Sequence, residues 1–463
     1  MIIPNSQIAK SSLSGSDYGH VFIWQGRLFR GFHKENIDEV LELINSDFLK
    51  ELIHKKFFVK TWISELTFET FDIVLEHQLI EVVTYPREWS FNMLKDSAKL
   101  VLDISDIAQK YRFKTIDCHP YNVLFNNSRP IYVDFGSFKK TDIVDFILSP
   151  YHEFMKSYYY PLKIWSLIGP YFGRSSVARA SASLPINGYI KIFYPILRRI
   201  DGSLIDKFFR FLHCLKTIKY RNLSKLNKNW LKKLLTFISN IDLIYYILSR
   251  SAKIKYLKKK ISKIRPLSEK SYWSHYNIND IENDSRFSEI KKRLLQLNVK
   301  TVLEVGGNKG YFSKMISKHK FERIICTDFD AAAIDAGYQD AQKEDAYINW
   351  AVLNPFGSED DFSEISTIER LRSEVVIALA LTHHIILTES FSIARTLRTL
   401  SMYTSNYIMV EFMPLGLYNG KTAPPLPNWY NLENFSKEFS KLFKIIEICK
   451  LEENRILLIG SKN

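Results

Sequence analysis

The stretch richest in chemistry-bearing residues is Val302-Leu303-Glu304-Val305-Gly306-Gly307-Asn308-Lys309-Gly310-Tyr311-Phe312-Ser313. An apolar strand runs into Glu-x-Gly-x-x-x-Gly and a helix follows at once. Gly306 and Gly310 suit a tight turn whose backbone approaches a ligand with no Cβ in the way. A dinucleotide site requires Gly-x-Gly-x-x-Gly with a pyrophosphate on the helix N-terminus. The spacing here is different, and Glu304 stands two residues before the first glycine. A carboxylate there repels a pyrophosphate and suits a cationic sulfonium or its amino group. Lys309 departs from that logic, entering the loop beside the place of the cation.

The next strand, Arg323–Thr327, ends in Asp328, placed to accept both hydroxyls of a ribose. A third strand, Ile348–Leu353, ends in Asn354, which is expected to meet the edge of an adenine. The fourth, Val375–Leu381, runs into Thr382-His383-His384 at the C-terminal edge, where open sheets bind ligands. A histidine there, with its pKa near the working pH, acts as general base toward a hydroxyl or else supports the cofactor loop. Glu411, at the end of a fifth strand, faces the substrate pocket or caps a turn. The expected catalytic set is therefore His383, His384 and Glu411. The cofactor set is Glu304, Gly306, Gly310, Asp328 and Asn354.

Strands alternating with helices must carry these positions. Thr301–Val305, Lys309–Lys318, Arg323–Thr327 and Ala331–Gln339 read strand–helix–strand–helix, and strands Tyr407–Phe412, Phe443–Ile446 and Arg455–Ile459 complete an open, doubly wound sheet. Upstream, short β-rich runs (His20–Trp24, Arg27–Phe32, Ile73–Leu75, Leu79–Thr84) flank a helical pattern from Asn36 to Lys56. A second helix covers Phe91 to Lys110. Tyr151 to Lys263 reads as helical and increasingly basic, with Pro266 ending it. The organisation expected is α/β: 1–150 an α+β domain, 151–270 a basic helical connector, and 271–463 a Rossmann-like domain.

The chain has 463 residues and a formal net charge of +14, concentrated in one segment. Lys191–Lys270 holds 21 Lys/Arg against four acids, a net of +17, so the remainder is close to neutral at −3. Lys and Arg there interleave with Leu, Ile, Phe and Tyr. Such a segment is a solvated helical face, a surface held at an anionic membrane, or a nucleic-acid surface. No apolar run reaches the roughly 18 residues of a membrane span, and no signal peptide is evident at Met1, so the expected location is cytoplasmic, peripheral on the inner face of the membrane if that surface is used. Cys118, Cys214, Cys326 and Cys449 form no CxxC pair, which argues against a zinc site or a disulfide framework.

With these residues in place, the chain from Ser271 onward resembles the class I methyltransferases, and most closely a bacterial subgroup related to the host-specific nodulation methyltransferases. The resemblance rests on Tyr272-Trp273 with Tyr276, the Glu304–Ser313 loop, Asp328 and Asp330, Asn354-Pro355, Glu369-Arg370 with Arg372, Leu379–His384, and Glu411-Phe412. It implies S-adenosylmethionine as cofactor. Leu353-Asn354-Pro355-Phe356 is not the Asn-Pro-Pro-Tyr clamp of amino-group methyltransferases, because that clamp follows the fourth strand and has a second proline.

A second resemblance lies upstream. Ile116-Asp117-Cys118-His119-Pro120-Tyr121-Asn122-Val123 followed by Val133-Asp134-Phe135-Gly136 looks like the catalytic and metal loops of protein kinases and aminoglycoside phosphotransferases. It implies Asp117 as base, and Asn122 and Asp134 as holders of Mg²⁺ beside ATP. Only Gly15 and Gly19 precede the first strand, and Arg30 stands where the strand lysine is expected. The expectation is thus a methyltransferase with a kinase-like N-terminal domain, modifying a sugar or phosphate hydroxyl of a bacterial surface glycan in polysaccharide biosynthesis. A bifunctional kinase–methyltransferase, an RNA methyltransferase and a non-catalytic scaffold are the alternatives.

Overall fold

The computed structural model describes residues 2–4, 7–10, 19–177, 253–267, 284–357, 365–418 and 421–463. Most of the basic segment, Gly15, and Tyr272, Trp273 and Tyr276 lie outside the described residues.

In chain order the first sheet comprises Ala9–Lys10 (β1), His20–Trp24 (β2), Arg27–Phe32 (β3), Thr61–Ile63 (β4) and Ile73–His77 (β5). Between β3 and β4 lie helices Ile37–Asn45 (α1) and Asp47–His54 (α2). One long helix was expected here. Ser46 divides it, because its extended backbone lets its side chain cap the second helix by accepting from Leu49 N. The expected strand Leu79–Thr84 is irregular chain instead. The long helix Phe91–Lys110 (α3) matches its expected bounds. Helices Tyr160–Ile168 (α4), Pro170–Ser175 (α5) and Ile254–Lys263 (α6) follow.

The C-terminal part opens with helix Ser285–Gln296 (α7) and then alternates: Thr301–Val305 (β6), Tyr311–Ser317 (α8), Arg323–Asp328 (β7), Ala331–Glu344 (α9), Asn349–Val352 (β8), Thr367–Leu371 (α10), Ser373–Ala378 (β9), Thr382–Leu387 (α11), Ile393–Met402 (α12), Thr404–Phe412 (β10), Leu432–Ser440 (α13), Phe443–Glu452 (β11) and Arg455–Lys462 (β12).

By contact the chain divides into two compact units. One holds Met1–Leu100, Pro120–Gly136 and Pro266–Asn463; the other holds Val101–His119 and Ser137–Arg265. The first contains both sheets. Its N-terminal sheet is antiparallel, in the order β1-β2-β3-β5-β4. A small aromatic core of Phe22, Phe29, Phe68 and Phe71 packs against it. The C-terminal sheet has seven strands in the order β8-β7-β6-β9-β10-β12-β11. The first five are parallel, and β12 enters antiparallel between β10 and β11. The parallel strands are almost continuously apolar, as a sheet covered on both faces demands. A core including Leu303, Val305, Val376, Leu397, Phe412 and Phe435 lies beneath it.

In the second unit, Phe113–Thr115 pairs antiparallel with Phe138–Lys140. A helical run from Tyr151 passes through a π-helical stretch, Met155–Tyr159, into α4. The backbone then turns at Gly169, φ 110°, before α5. The N-terminus of α6 joins Phe146, whose carbonyl accepts from Ile254 N.

Candidate active site

In the C-terminal sheet, chain progression reverses between β6 and β9: β7 and β8 lie on one side of β6, β9 and β10 on the other. The crevice at the carboxyl ends of those two strands is where open α/β sheets hold ligands. From β6 comes the Glu304–Gly310 loop; from β9 come Ala380 to His384.

Gly306 and Gly310 have φ of +72° and +67°, the left-handed region, and Gly306 and Gly307 donate their N–H groups to Thr327 O. A Cβ on Gly310 would lie 2.4 Å from the Trp350 ring, and one on Gly307 would lie 2.5 Å from Cys326 Sγ. The glycines are required by backbone conformation and by packing against β7 and β8, rather than by a ligand's approach. No nearby sequence signal pairs Gly310 with Trp350, 40 residues on.

Glu304 is buried, and its Oε2 accepts from both the N–H and the Oγ of Ser313 at the start of α8. Burial, reinforced by nearby Asp328, pushes its carboxyl up to about 7. Asp328 is also buried. Its Oδ1 accepts from Asp330 N at 2.9 Å and its Oδ2 from Asn308 N at 2.8 Å. Burial raises it to about 6. Two carboxyls held this high form a donor set that gains from a cation and from hydroxyl donors. Asn354 is exposed instead, and its Oδ1 accepts from Phe356 N, closing its own turn.

The histidines stand on α11, with ring centroids 3.9 Å apart. His383 is buried and its Nδ1 has no hydrogen-bond partner. Burial, with His384 and Arg455 nearby, lowers it to about 3. The expectation of a pKa near the working pH is thereby corrected for His383: an apolar site disfavours the imidazolium. His384, half-buried, is lowered by burial alone.

Glu411 is fully buried and engaged three ways. It accepts from Arg455 Nη1 at 2.9 Å, from Ala380 N at 2.8 Å and from Arg286 Nη1 at 3.4 Å. Its backbone carbonyl accepts from Thr382 Oγ1. The carboxylate thus pins the β9–α11 turn, where Ala380 takes φ 50°, rather than standing open to a substrate. Arg286 and Arg455 escaped sequence reading because they lie 125 and 44 residues from Glu411.

Five parallel strands with the reversal at β6/β9, a sixth and seventh strand exchanged at the edge, and the acidic pair at the crevice decide the fold. The strand order and the crevice are those expected from the resemblance to the class I methyltransferases. No family model matches the chain. A curated relative is the nodulation protein NoeA of Rhizobium meliloti (strain 1021), 23% identical over 358 residues, covering 74% of this chain and 71% of that protein. This span exceeds the 193 residues of 271–463, so the likeness continues upstream of Ser271. Among solved structures, the PH0226 protein of Pyrococcus horikoshii OT3 is similar with a TM-score of 0.33 and 14% identity, over 42% of this chain and 100% of that one. The N-methyltransferase NodS of Bradyrhizobium japonicum WM9 has a TM-score of 0.29 and 14% identity, over 39% and 98%.

The residues expected to form kinase-like loops fall in both units. Asn122 and Asp134 belong to the unit that holds the sheets. Asp117 belongs to the other, where its Oδ1 accepts from His119 N at 2.7 Å. Asp134 Oδ1 accepts from Arg30 Nη2 on β3 at 2.8 Å. Asn122 Nδ2 donates to the Tyr132 hydroxyl at 3.3 Å. Among the described residues no group of three or more His, Cys, Asp or Glu is arranged to hold a metal ion.

Proposed function

We propose that the protein transfers a methyl group from S-adenosylmethionine to a hydroxyl of a sugar or phosphate in a bacterial surface glycan. The observation that carries the reading is the pair of buried carboxyls, Glu304 and Asp328, at the crevice of the C-terminal sheet. Such groups fit the cofactor. Asp328, whose carboxylate is held by the N–H groups of Asp330 and Asn308, is placed to accept from the ribose hydroxyls, and Glu304 supplies negative charge close to the cationic end. When bound, S-adenosylmethionine supplies an electrophilic methyl group on sulfur. The chain's own part is to orient a hydroxyl in line with it and to accept the proton, since positioning dominates in such displacements. His384 is the acceptor, and His383, kept neutral, orders it. The glycan acceptor rests on the resemblance to the nodulation subgroup. Incubation of candidate glycans with methyl-labelled S-adenosylmethionine tests it: a mass increase of one methyl group on an oxygen is expected, and methylation confined to nitrogen or to RNA would overturn it.

A kinase-like origin of the N-terminal sheet is a second part of the proposal. It is supported by five antiparallel strands in the order β1-β2-β3-β5-β4, a helical pair between the third and fourth, and Arg30 on the third. ATP and Mg²⁺ do not fit the residues present. The Asp134 carboxylate already neutralises Arg30, whose side chain is 9% exposed. We read the domain as a retired phosphotransferase fold that braces the methyltransferase. We also place the protein at the cytoplasmic face of an anionic membrane through residues 191–270, on the strength of their net charge of +17. Among the described residues no helix is long and apolar enough to cross it.

A further inference from the structure

The corner between α4 and α5 carries large apolar side chains in the open. Tyr171 is 75% exposed, Phe172 50% and Leu167 37%. They are not a frayed end. Gly169, at φ 110°, makes the turn, and Gly173 seats the corner, since a Cβ there would lie 2.7 Å from Trp165 Cβ. Trp165, Leu162 and Ile164 on α4 are buried. One face of the helical pair is thus fixed in a core while its corner points to solvent. The Tyr171 and Phe172 rings stand edge to face at 5.4 Å. Exposed clusters of this kind mark interaction sites, whereas single exposed apolar residues need no explanation.

Charge selects the occupant. From Tyr151 to Val177, Glu153 is the one acid, against Lys156, Lys163 and Arg174. The sequence that follows directly holds the concentrated positive charge, with 21 Lys/Arg and four acids over Lys191–Lys270. α6 adds to it: Ile254, Leu257 and Ile261 are buried in their unit, and Lys255, Lys259 and Lys263 lie on the outer side. Stable attachment to a bilayer takes two signals, an inserted apolar group and a cationic surface, because either alone is reversible and weak. Tyrosine at an apolar corner suits the headgroup boundary, where its ring is buried and its hydroxyl stays wet.

We propose that Leu167, Tyr171 and Phe172 form a wedge that inserts into an anionic lipid bilayer. This rests on the reading of residues 191–270 as a membrane surface. The test is flotation of the full chain with phosphatidylcholine vesicles, with and without phosphatidylglycerol, at low and physiological salt. Wild type is expected to float with the anionic vesicles, less as salt rises. Y171S/F172S should lower partitioning at least about tenfold, with an unchanged circular dichroism spectrum and melting curve. Y171F, which keeps the ring, should float as wild type does. If the double variant misfolds, a single F172S that keeps the wild-type spectrum should still lose partitioning. Flotation of the serine variants equal to wild type would overturn the wedge and leave the charge reading standing. Wild type remaining in solution with both vesicles would overturn both, as would retention on RNA at physiological salt without flotation.

Discussion

Arg370 Nη2 donates to Glu88 Oε1 at 2.6 Å, and both side chains are out of solvent, at 2% and 1% exposure. Arg370 Nη1 also donates to Glu88 Oε2 at 3.0 Å and to Val83 O. The guanidinium lies 4.2 Å over the Tyr85 ring, and Tyr85 N donates to Glu88 Oε2. Arg370 comes from α10, just before β9; Glu88 comes from the turn before α3. Asp335 on α9 repeats the theme, accepting from Ser90 Oγ, Asn92 N and Asn92 Nδ2, each at 2.7 Å. Polar groups buried this completely hold segments 243 or more residues apart.

Removing Arg370 leaves the Glu88 carboxylate buried and unpaired. Arg370→Ala should therefore destabilise by about 3–5 kcal/mol, as broken buried pairs do. Replacing both partners by apolar residues of similar volume should cost much less. Urea unfolding checks this; additive losses in the double variant would mean the pair contributes through separate contacts.

Glu304 carries a pH signature. Its folded value of about 7 exceeds the ordinary 4.5, so the folded chain holds a proton that the unfolded chain releases. Its effect on stability is neutral below about pH 4 and grows unfavourable as pH rises through 4.5 to 7. Glu304→Gln mimics the protonated group. Without cofactor it should match wild type near pH 4.5 and exceed it above pH 7 by roughly 1–3 kcal/mol. S-adenosylmethionine, a cation, should favour wild type and remove the advantage. Urea midpoints at both pH values, with and without cofactor, decide it.

Asp328→Ala should weaken S-adenosylmethionine binding by about 1.5–3 kcal/mol, the worth of a charged acceptor. Below about pH 6, where Asp328 takes up its proton, wild-type affinity should fall toward that of the variant. Calorimetry across pH 5–8 measures both, and equal affinities at pH 8 would remove the ribose assignment.

The C-terminal sheet was legible because parallel strands covered on both faces are continuous apolar runs. Most starts and ends fell within a few residues of expectation, Arg323–Thr327 becoming Arg323–Asp328 and Arg455–Ile459 becoming Arg455–Lys462, but Phe443–Ile446 runs on to Glu452. Helices α12 and α13 were passed over. Their apolar residues alternate with Arg, Thr, Ser and Lys, and neither bears a motif. Glu304 and Asp328 were placed correctly at the strand ends, but their burial was not visible in spacing. Glu411 reads as a site residue in sequence. Its two arginine partners come from α7 (Arg286) and, through β10 pairing with β12, from Arg455, and together with Ala380 N they hold it at the turn.

His384 and His383 should separate in kinetics. General bases contribute typically 10²–10⁴-fold, so His384→Ala should lower kcat by at least about 100-fold with little change in cofactor affinity. His383 is lowered to about 3 and stays neutral through the working range, so the pH–rate profile should show no ionisation of its own between pH 5 and 9. Its stabilising effect is full above about pH 6.5 and is lost as pH falls toward 3. Should both alanine variants lose cofactor binding in step with rate, the pair is structural.

The N-terminal domain should transfer no phosphate. Phosphoryl transfer is almost wholly positioning and electrostatics around a metal-bound phosphate. Here the carboxylate that would meet the metal, Asp134, is 2.8 Å from Arg30 Nη2, and an Mg²⁺ ion would have to break that pair and leave the buried guanidinium uncompensated. Arg30 Nε is already buried without a partner, so the site has no spare acceptor to offer it. His77, buried on β5, is held neutral at about 3 by burial and by Arg30, and supplies no negative charge in place of Asp134. Asp134→Ala should consequently lower stability, by about 1–3 kcal/mol for loss of a partly buried counterion, while methyl transfer to a minimal acceptor is nearly unchanged. Labelled ATP with candidate glycan or lipid-linked acceptors should give no more product with wild type than with Asp117→Ala. Labelling that depends on Asp117 and on added Mg²⁺ would mean a working kinase, and the bifunctional reading would then replace that of a bracing domain.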